Sequence, residues 1–330
     1  MIETFHLGGE GRLQADITNL GGRIMRLVVD GVDVVHGFDE AEDYLPERHL
    51  SDFGAIIGRY ANRLAGGRIV VAGRVYSLPC NNGPNCLHGG PHGWQYALFD
   101  VAEATDESVE LTLTSPDGDN GFPGTVRATV RYSLLGGERL RIDYRAESDA
   151  PTVINMTNHS YFNLSGNPET TVHDHLLRID ADRYTPIDET SIPLGEHAAV
   201  EGTPFDFRQA KPIGRDIESD HRQLKIGRGY DHNYVLNHPV LGHDSISLRC
   251  PTSGIALDIE TTAPGVQLYT GNFLDGVAGK GGKRYSVRSA VCLETQMYPD
   301  SPNHNWAEST GRLEPDKPYT STTIFKFSRL

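Results

Sequence analysis

Polar side chains that could move protons or bind a polar ligand are concentrated in five segments of the chain. The densest, Asn155–Leu164, holds three asparagines, a histidine, a serine and a threonine within ten residues. Buried asparagines must find hydrogen-bond partners, so burying such a stretch is costly unless a polar site uses it. A loop whose side chains bond their own backbone explains the same composition equally well. The other four segments are Gly58–Leu64, Asn81–Gly90, Tyr230–Leu236 and Cys292–Asn303.

Two of these segments each place one residue where it could do acid–base or ligand chemistry. Glu294 directly follows the apolar run Ala290–Leu293. Desolvation at the end of a buried strand would raise its pKa and make it a better base near neutral pH, although an exposed strand-end glutamate also fits. His88 precedes Gly89 and Gly90, and glycine lets a backbone pass close to a ligand. Taken alone, His88 is more simply expected on an exposed loop.

Together these segments resemble the galactose mutarotase family of aldose 1-epimerases, from Gly54 to Asn303. Each matching run is weak alone, but six in the family's order are specific. A seventh, Ser115–Gly124 (SPDGDNGFPG), is also similar to the family. The six runs are Gly58–Leu64 (GRYANRL), Asn81–Gly90 (NNGPNCLHGG), Thr157–Gly166 (TNHSYFNLSG), Tyr230–Leu236 (YDHNYVL), Gly265–Asn272 (GVQLYTGN) and Leu293–Asn303 (LETQMYPDSPN).

The resemblance implies a β-sandwich with a sugar site in an open cleft on one sheet. It also implies roles for seven positions of this chain. These are His159 as general acid, Glu294 as general base, His88 as a second histidine that holds the sugar, Arg63 and Asp231 as sugar-binding residues, and Asn62 and Gln267 as further contacts.

These residue types suit the exchange of α and β anomers of a free aldose such as galactose or glucose. A base removes the proton of the C1 hydroxyl, an acid protonates the ring oxygen, and the opened chain recloses on the other aldehyde face. This chemistry needs no metal, nucleotide or covalent intermediate, so we expect an aldose 1-epimerase (mutarotase) without a cofactor.

Two other functions remain open at this stage. A hexose-6-phosphate 1-epimerase would need extra cationic side chains for the phosphate, and Arg59, Lys283 and Arg284 are the available candidates. A non-catalytic sugar-binding protein would need no acid–base pair, and the presence of both Glu294 and His159 argues against it.

Other signals are weaker. His173 and His175 would share one face of a strand, as two ligands of a metal do, but no third ligand is obvious and no metal is expected. The basic, glycine-rich stretch Gly279–Arg284 lacks the order of a phosphate-binding loop and is expected to be a mobile loop. Aromatic residues that could stack on a sugar, although most are expected in the core, are Trp94, Tyr161, Phe162, Phe273 and Tyr298.

The elements that must position these residues are predicted to be strands. Apolar and polar residues alternate along Val126–Leu134 and Leu140–Glu147, with Gly136-Gly137 as the turn between them. We therefore predict one all-β domain over residues 1–330, a large antiparallel β-sandwich with few short helices. One weak helix is predicted at Ile217–Leu224. Further strand candidates are Arg68–Leu78, Leu176–Ile179, Ser245–Cys250, Ile255–Thr261 and Thr322–Phe327.

Composition limits the partners. The 330 residues carry a formal net charge of −14, which disfavours nucleic acid and anionic membranes as partners. The resemblance implies that the partner is a small monosaccharide. The four cysteines match no redox or zinc spacing, and the first residues do not resemble a secretory signal. We expect a cytoplasmic monomer or homodimer with reduced thiols.

Overall fold

Strands make up nearly all the regular structure of the computed structural model, which describes residues 1–330. The strands, numbered in chain order, are β1 Thr4–Leu7, β2 Leu13–Thr18, β3 Arg23–Val29, β4 Val32–Asp33, β5 Ile56–Ile57, β6 Arg63–Leu64, β7 Arg68–Val71, β8 Arg74–Ser77, β9 Cys86–Leu87, β10 Asp100–Ala104, β11 Ser108–Ser115, β12 Val126–Leu135, β13 Arg139–Ser148, β14 Thr152–Val153, β15 Thr157–Asn158, β16 Tyr161–Phe162, β17 Leu176–Ile179, β18 Arg183–Tyr184, β19 Ala198–Ala199, β20 Lys211–Pro212, β21 Asp231–Val235, β22 Ile246–Cys250, β23 Ile255–Thr261, β24 Gly265–Tyr269, β25 Val277–Ala278, β26 Arg284–Tyr285, β27 Val291–Gln296, β28 Arg312–Leu313 and β29 Tyr319–Arg329.

Helical structure is confined to short pieces. The one α-helix is α1, Arg222–Gly227, and the 3₁₀ turns are Ala41–Tyr44, Ala65–Gly67, Trp94–Tyr96, Asp119–Gly121, Ile213–Arg215, Lys280–Gly282 and Ser301–Asn303. None of the helices is long and apolar enough to span a membrane. The predicted all-β class is confirmed.

Two large antiparallel sheets form the sandwich. One has nine strands in the order β10-β11-β12-β13-β29-β23-β22-β17-β20, and the other has six in the order β16-β27-β24-β21-β18-β19. A four-stranded sheet, β1-β2-β3-β4, joins the same core. The main cluster of 55 buried residues draws Val130 and Ile142 from the nine-stranded sheet and Leu268 and Leu293 from the six-stranded one. The core therefore lies between the sheets, and strands with one solvent-facing side, such as β12 and β13, bury alternate residues in it.

The structure departs from the predicted elements in two places. Arg68–Leu78 was predicted as one strand, but it forms the hairpin β7–β8 because Ala72 and Gly73 both adopt positive φ and make a tight turn. The helix predicted at Ile217–Leu224 instead begins at Arg222, where the side chain of His221 accepts a hydrogen bond from the backbone N–H of Gln223. It ends at Arg228, which has a φ of +54°.

The segment Gly279–Arg284, expected to be a mobile loop, is attached to the body of the protein through Lys280. Its ammonium group donates hydrogen bonds to the carboxylate of Asp33 and to the carbonyl of Val35, each at 2.8 Å. The backbone N–H of Gly281 also donates to Asp39. Because these acceptors engage Lys280, its charge is not free to hold a phosphate.

Candidate active site

A cleft of about 350 Å³ lies over the six-stranded sheet, and all seven residues singled out from the sequence line it. They arrive from three parts of the fold: the face of the large sheet, the turn after β15, and the small β6–β9 ladder. The fold thus brings the seven residues together in one cleft, although they are spread along the chain from Asn62 to Glu294.

The six-stranded sheet presents Glu294, Gln267 and Asp231 on one face. Glu294 on β27 is the cross-strand partner of Gln267 on β24, and Asp231 on β21 is the partner of Tyr269, two residues further along β24. Because side chains alternate along a strand, all four point to the same side. The intervening Leu268 and Leu293 point into the core. The sequence placed Glu294 at the end of a buried strand. In the structure it lies within β27, which continues to Gln296 and is buried on both faces.

His159 is fixed by backbone pairing with the segment around β5. Its N–H donates to the carbonyl of Ala55, and its carbonyl accepts from the N–H of Gly54. The imidazole stacks on the ring of Tyr161, with ring centroids 5.0 Å apart and 18° between the planes. Stacking on Tyr161 therefore restricts rotation of the ring, which lines the cleft.

The β6–β9 ladder brings in Asn62, Arg63 and His88. The N–H of His88 donates to the carbonyl of Asn62, and the N–H of Asn62 donates to Nδ1 of His88 at 3.1 Å. His88 is therefore buried, not an exposed loop residue as its local sequence indicated. Gly89 approaches backbone, not ligand: a Cβ there would lie 2.1 Å from the carbonyl oxygen of Gly58.

Glu294 and His159 face each other. Oε1 of Glu294 lies 3.5 Å from Nε2 of His159, and both side chains are buried. Burial raises the pKa of Glu294 well above its ordinary value, and the charges of Asp231 and Asp52 raise it further. Burial lowers the pKa of His159, an effect that Asp52 and Asp231 oppose. The two pKa shifts run in opposite directions, and the 3.5 Å separation allows a proton to pass between the groups.

His88 is a neutral hydrogen-bond donor. Burial lowers its pKa to about 3. Since its Nδ1 accepts from the backbone N–H of Asn62, the ring proton lies on Nε2. The ring of His88 packs edge-on against that of His159, with centroids 5.3 Å apart. His88 can therefore donate to a ligand oxygen beside His159 without adding a charge.

Some polar side chains around the cleft are held by hydrogen bonds, and some of their atoms have no hydrogen-bond partner. Nε2 of Gln267 donates to Oδ1 of Asp231 at 2.6 Å, and Nε of Arg63 donates to the side-chain oxygen of Asn82 at 2.9 Å. Buried Oε2 of Glu294 and Oε1 of Gln267 have no protein hydrogen-bond partner. Buried polar atoms are normally paired, so these acceptors fit a ligand rich in hydroxyl groups.

Two groups of side chains have the spacing of metal ligands. Asp52, His88 and His159 offer one ligand atom each, all within 4.8 Å of one another, and so do Asp180, His238 and His243. In the second group both histidines bond the same carboxylate oxygen of Asp180. The pair considered from the sequence, His173 and His175, is in neither group. Nε2 of His175 accepts a hydrogen bond from the backbone N–H of Leu164.

Residues that sequence reasoning did not single out complete the cleft. Asp52 and Tyr269 line it, together with Asn82 and Leu87. Tyr269 could have been found from strand alternation with Gln267, whereas Asp52 lies in an irregular segment with no periodic signal. Of the aromatic candidates, Tyr161 and Phe273 line the cleft; the others do not, and they are Trp94, Phe162 and Tyr298.

Comparison with known proteins gives matches along nearly the whole chain. The family model described as aldose 1-epimerase matches residues 3–326. Galactose mutarotase from Bos taurus is 42% identical over 99% of this chain and 94% of its own length, and the Homo sapiens protein gives the same values. Aldose 1-epimerase from Escherichia coli K12 is 41% identical over 83% of this chain and 79% of its own length.

Solved structures agree in fold. A GalM/aldose epimerase homologue from C. elegans superimposes with a TM-score of 0.92 at 29% identity, with all of both chains covered. Galactose 1-epimerase from Lactobacillus acidophilus gives a TM-score of 0.85 at 30% identity, covering 98% of this chain and 93% of its own.

Proposed function

This chain belongs to the aldose 1-epimerase family, and we propose that it is a mutarotase that interconverts the α and β anomers of free aldoses such as galactose and glucose. The observation that carries the proposal is the buried pair of Glu294 and His159, 3.5 Å apart in a cleft of sugar size. A binding site for a neutral sugar would not require two buried titratable groups within reach of each other.

The geometry supports a simple proton route. Glu294, as carboxylate, takes the proton of the C1 hydroxyl while His159, as imidazolium, gives a proton to the ring oxygen, and the C1–O5 bond breaks. After rotation about C1–C2, the same groups act in reverse as the ring closes on the other face of the aldehyde. Proton transfer by a positioned group contributes about 10²–10⁴-fold. Proton count and charge are restored at the end of each turnover, so no cofactor is consumed.

The remaining cleft residues orient the sugar and stabilise developing charge. Asp231 accepts hydrogen bonds from neighbouring hydroxyls, and Gln267, which bonds Asp231, offers its free oxygen to another. Arg63 and the neutral Nε2–H of His88 donate to ring or hydroxyl oxygens, and Arg63 adds the positive charge that favours an oxygen becoming negative. Asn62 holds both of these residues in place through its backbone and side chain.

The cleft favours an unphosphorylated substrate. Arg63 is the only lysine or arginine that lines it. Arg59, a candidate phosphate ligand from the sequence, is buried elsewhere and donates to carbonyls of Pro123 and Gly124 and to Ser115. Lys283 pairs with Glu169. A phosphate would therefore lack the cluster of donors that recognises it.

Polarimetry tests the proposal. Freshly dissolved α-galactose and α-glucose should reach equilibrium rotation faster with the protein, and glucose 6-phosphate should gain little. Glu294→Gln and His159→Asn should each lower kcat by about 10²–10⁴-fold, because each removes one proton-transfer group. Exposed His238→Asn serves as the matched control and should keep full activity.

Two results would contradict the proposal. Near-normal rates in folded Glu294→Gln would remove the acid–base pair from the mechanism. Tight galactose binding without any acceleration would indicate a sugar-binding protein instead.

We further propose that the protein acts as a cytoplasmic monomer or homodimer. Its four free cysteines, three of them buried, support a reducing compartment, and sedimentation would determine the oligomeric state.

A further inference from the structure

A third carboxylate, Asp52, stands beside the two cleft histidines. One of its oxygens lies within 4.8 Å of a ring nitrogen of both His88 and His159, whereas Glu294 is not part of this cluster. Oδ1 of Asp52 is buried and has no hydrogen-bond partner. No lysine or arginine forms an ion pair with it, and its charge favours the protonated form of both imidazoles.

The backbone around Asp52 is held rigidly. The buried guanidinium of Arg23 donates to the carbonyls of Ser51 and Phe53, one on each side of Asp52, and to that of Gln95. The next residues, Gly54 and Ala55, make the backbone hydrogen bonds that fix His159. The distance from the Asp52 carboxylate to the His159 ring is thus fixed by the segment Ser51–Ala55, which is held by Arg23 and is hydrogen-bonded to the backbone of His159.

The acid–base pair itself needs help to reach its reactive form. When the pair holds one proton, it exists either as neutral carboxylic acid and imidazole or as carboxylate and imidazolium. Burial disfavours the charged form of each group. Only the charged arrangement, with the proton on the imidazole, can accept from the C1 hydroxyl and donate to the ring oxygen. Its population therefore limits the rate.

We propose that Asp52 is a positioning residue that acts through His159: its carboxylate stabilises the imidazolium and so increases the fraction of molecules with the proton on His159 and an ionised Glu294. The inference rests on the proposed mutarotase function. Because the Asp52 carboxylate belongs to a cluster with both imidazoles that does not include Glu294, we expect it to favour the positive ring more than it disfavours the Glu294 carboxylate. His88 stays neutral beside it.

Other groups also face His159, and Asp52 adds to their effect. The charge of Asp231 also favours the imidazolium, and that of Arg23 opposes it. The rings packed around it are those of His88, Tyr161 and Tyr269. Arg63 favours the ionised form of Glu294. Besides Glu294 itself, Asp52 and Asp231 are thus the carboxylates that favour protonation of His159, and of these two only Asp52 belongs to the cluster with both histidines.

The test compares pH profiles of wild type, Asp52→Asn and Asp52→Glu in the presence of a chelator. Asn keeps the size but removes the charge, so kcat should fall about tenfold, the equivalent of one pKa unit. Loss of a negative charge lowers the pKa of both members of the pair, so both limbs of the profile should move to lower pH while KM changes little. Asp52→Glu should restore part of kcat and of the shift. Exposed Asp106→Asn is the charge-matched control and should leave the profile unchanged.

An NMR titration of the His159 ring, assigned with His159→Asn, gives a readout that needs no turnover. Its pKa should be lower in Asp52→Asn than in wild type. If Asp52→Asn does not fold, Asp52→Ser provides the same charge loss. An unchanged His159 titration, or a large rise in KM with an unshifted profile, would overturn the proposal and make Asp52 a sugar contact. Wild-type protein that fails to accelerate mutarotation would refute the proposed function alone, since the titration would still measure the coupling.

Discussion

The cleft histidines, although neighbours, have opposite tasks, and His88 offers the clearest single-residue prediction. Burial lowers its pKa to about 3, so it should remain uncharged from pH 5 to pH 8 with its proton on Nε2. Two-dimensional ¹H–¹⁵N spectra of the imidazole should show one protonated nitrogen at Nε2 throughout this range. The His88→Asn spectrum, in which these signals disappear, provides the assignment. Imidazolium signals from His88 at pH 6 would contradict the neutral-donor role.

Residue identity was easier to infer from the sequence than residue environment. The resemblance pointed to His88, but the sequence around it indicated an exposed loop. The residue that bonds both its backbone and its ring is Asn62, 26 residues away along the chain. Asp52 had no signal at all. Its proximity to His159 depends on Arg23 and on pairing between segments a hundred residues apart, and neither follows from local composition.

At the scale of single elements, two adjacent residues of β27 have different roles, one in stability and the other in catalysis. Leu293 points into the core and Glu294 into the cleft. Leu293→Ala should lower the free energy of unfolding by about 2–5 kcal/mol, because it leaves a cavity in a packed core, while the folded protein keeps most of its activity. Glu294→Gln should do the reverse: urea denaturation close to wild type, with activity lost. Equal effects of the two variants on both quantities would mean that β27 does not alternate as described.

The same strand shows how far periodicity can be used. Strands with one wet face, such as β12 and β13, were predicted from alternation and are confirmed within a residue or two. In β27 every residue is buried, because the cleft covers its second face. Its polar residues face the cleft and not solvent, so β27 lacks the apolar–polar alternation that would show where the strand ends. For this reason the strand was expected to end at Glu294.

Over the whole molecule, buried histidines dominate the expected response to acid. Burial lowers the pKa of His36, His88 and His232 to about 3 and that of His175 to about 4, from 6.5. The unfolded chain binds protons at these sites below pH 6.5 while the folded protein does not, so their stabilisation is complete above pH 6.5 and is lost as the pH falls. Each contributes about 1.4 kcal/mol per pH unit within that window. The raised pKa of Glu294 acts in the opposite sense, but it is one group against four.

Urea unfolding between pH 7.5 and pH 4.5 therefore tests the fold as a unit. The midpoint should hold above pH 6.5 and then decline steeply, because four such groups together lower the free energy of unfolding by about 10 kcal/mol between pH 6.5 and pH 4.5, before most exposed carboxylates titrate. Because one core joins both large sheets, tryptophan fluorescence and far-UV circular dichroism should report the same single transition at each pH. Two separate transitions would divide the chain into more than the one domain predicted from its sequence. A midpoint independent of pH down to 4.5 would mean that these histidines are hydrated or already charged in the folded protein, His88 included, which would also remove the neutral donor from the cleft.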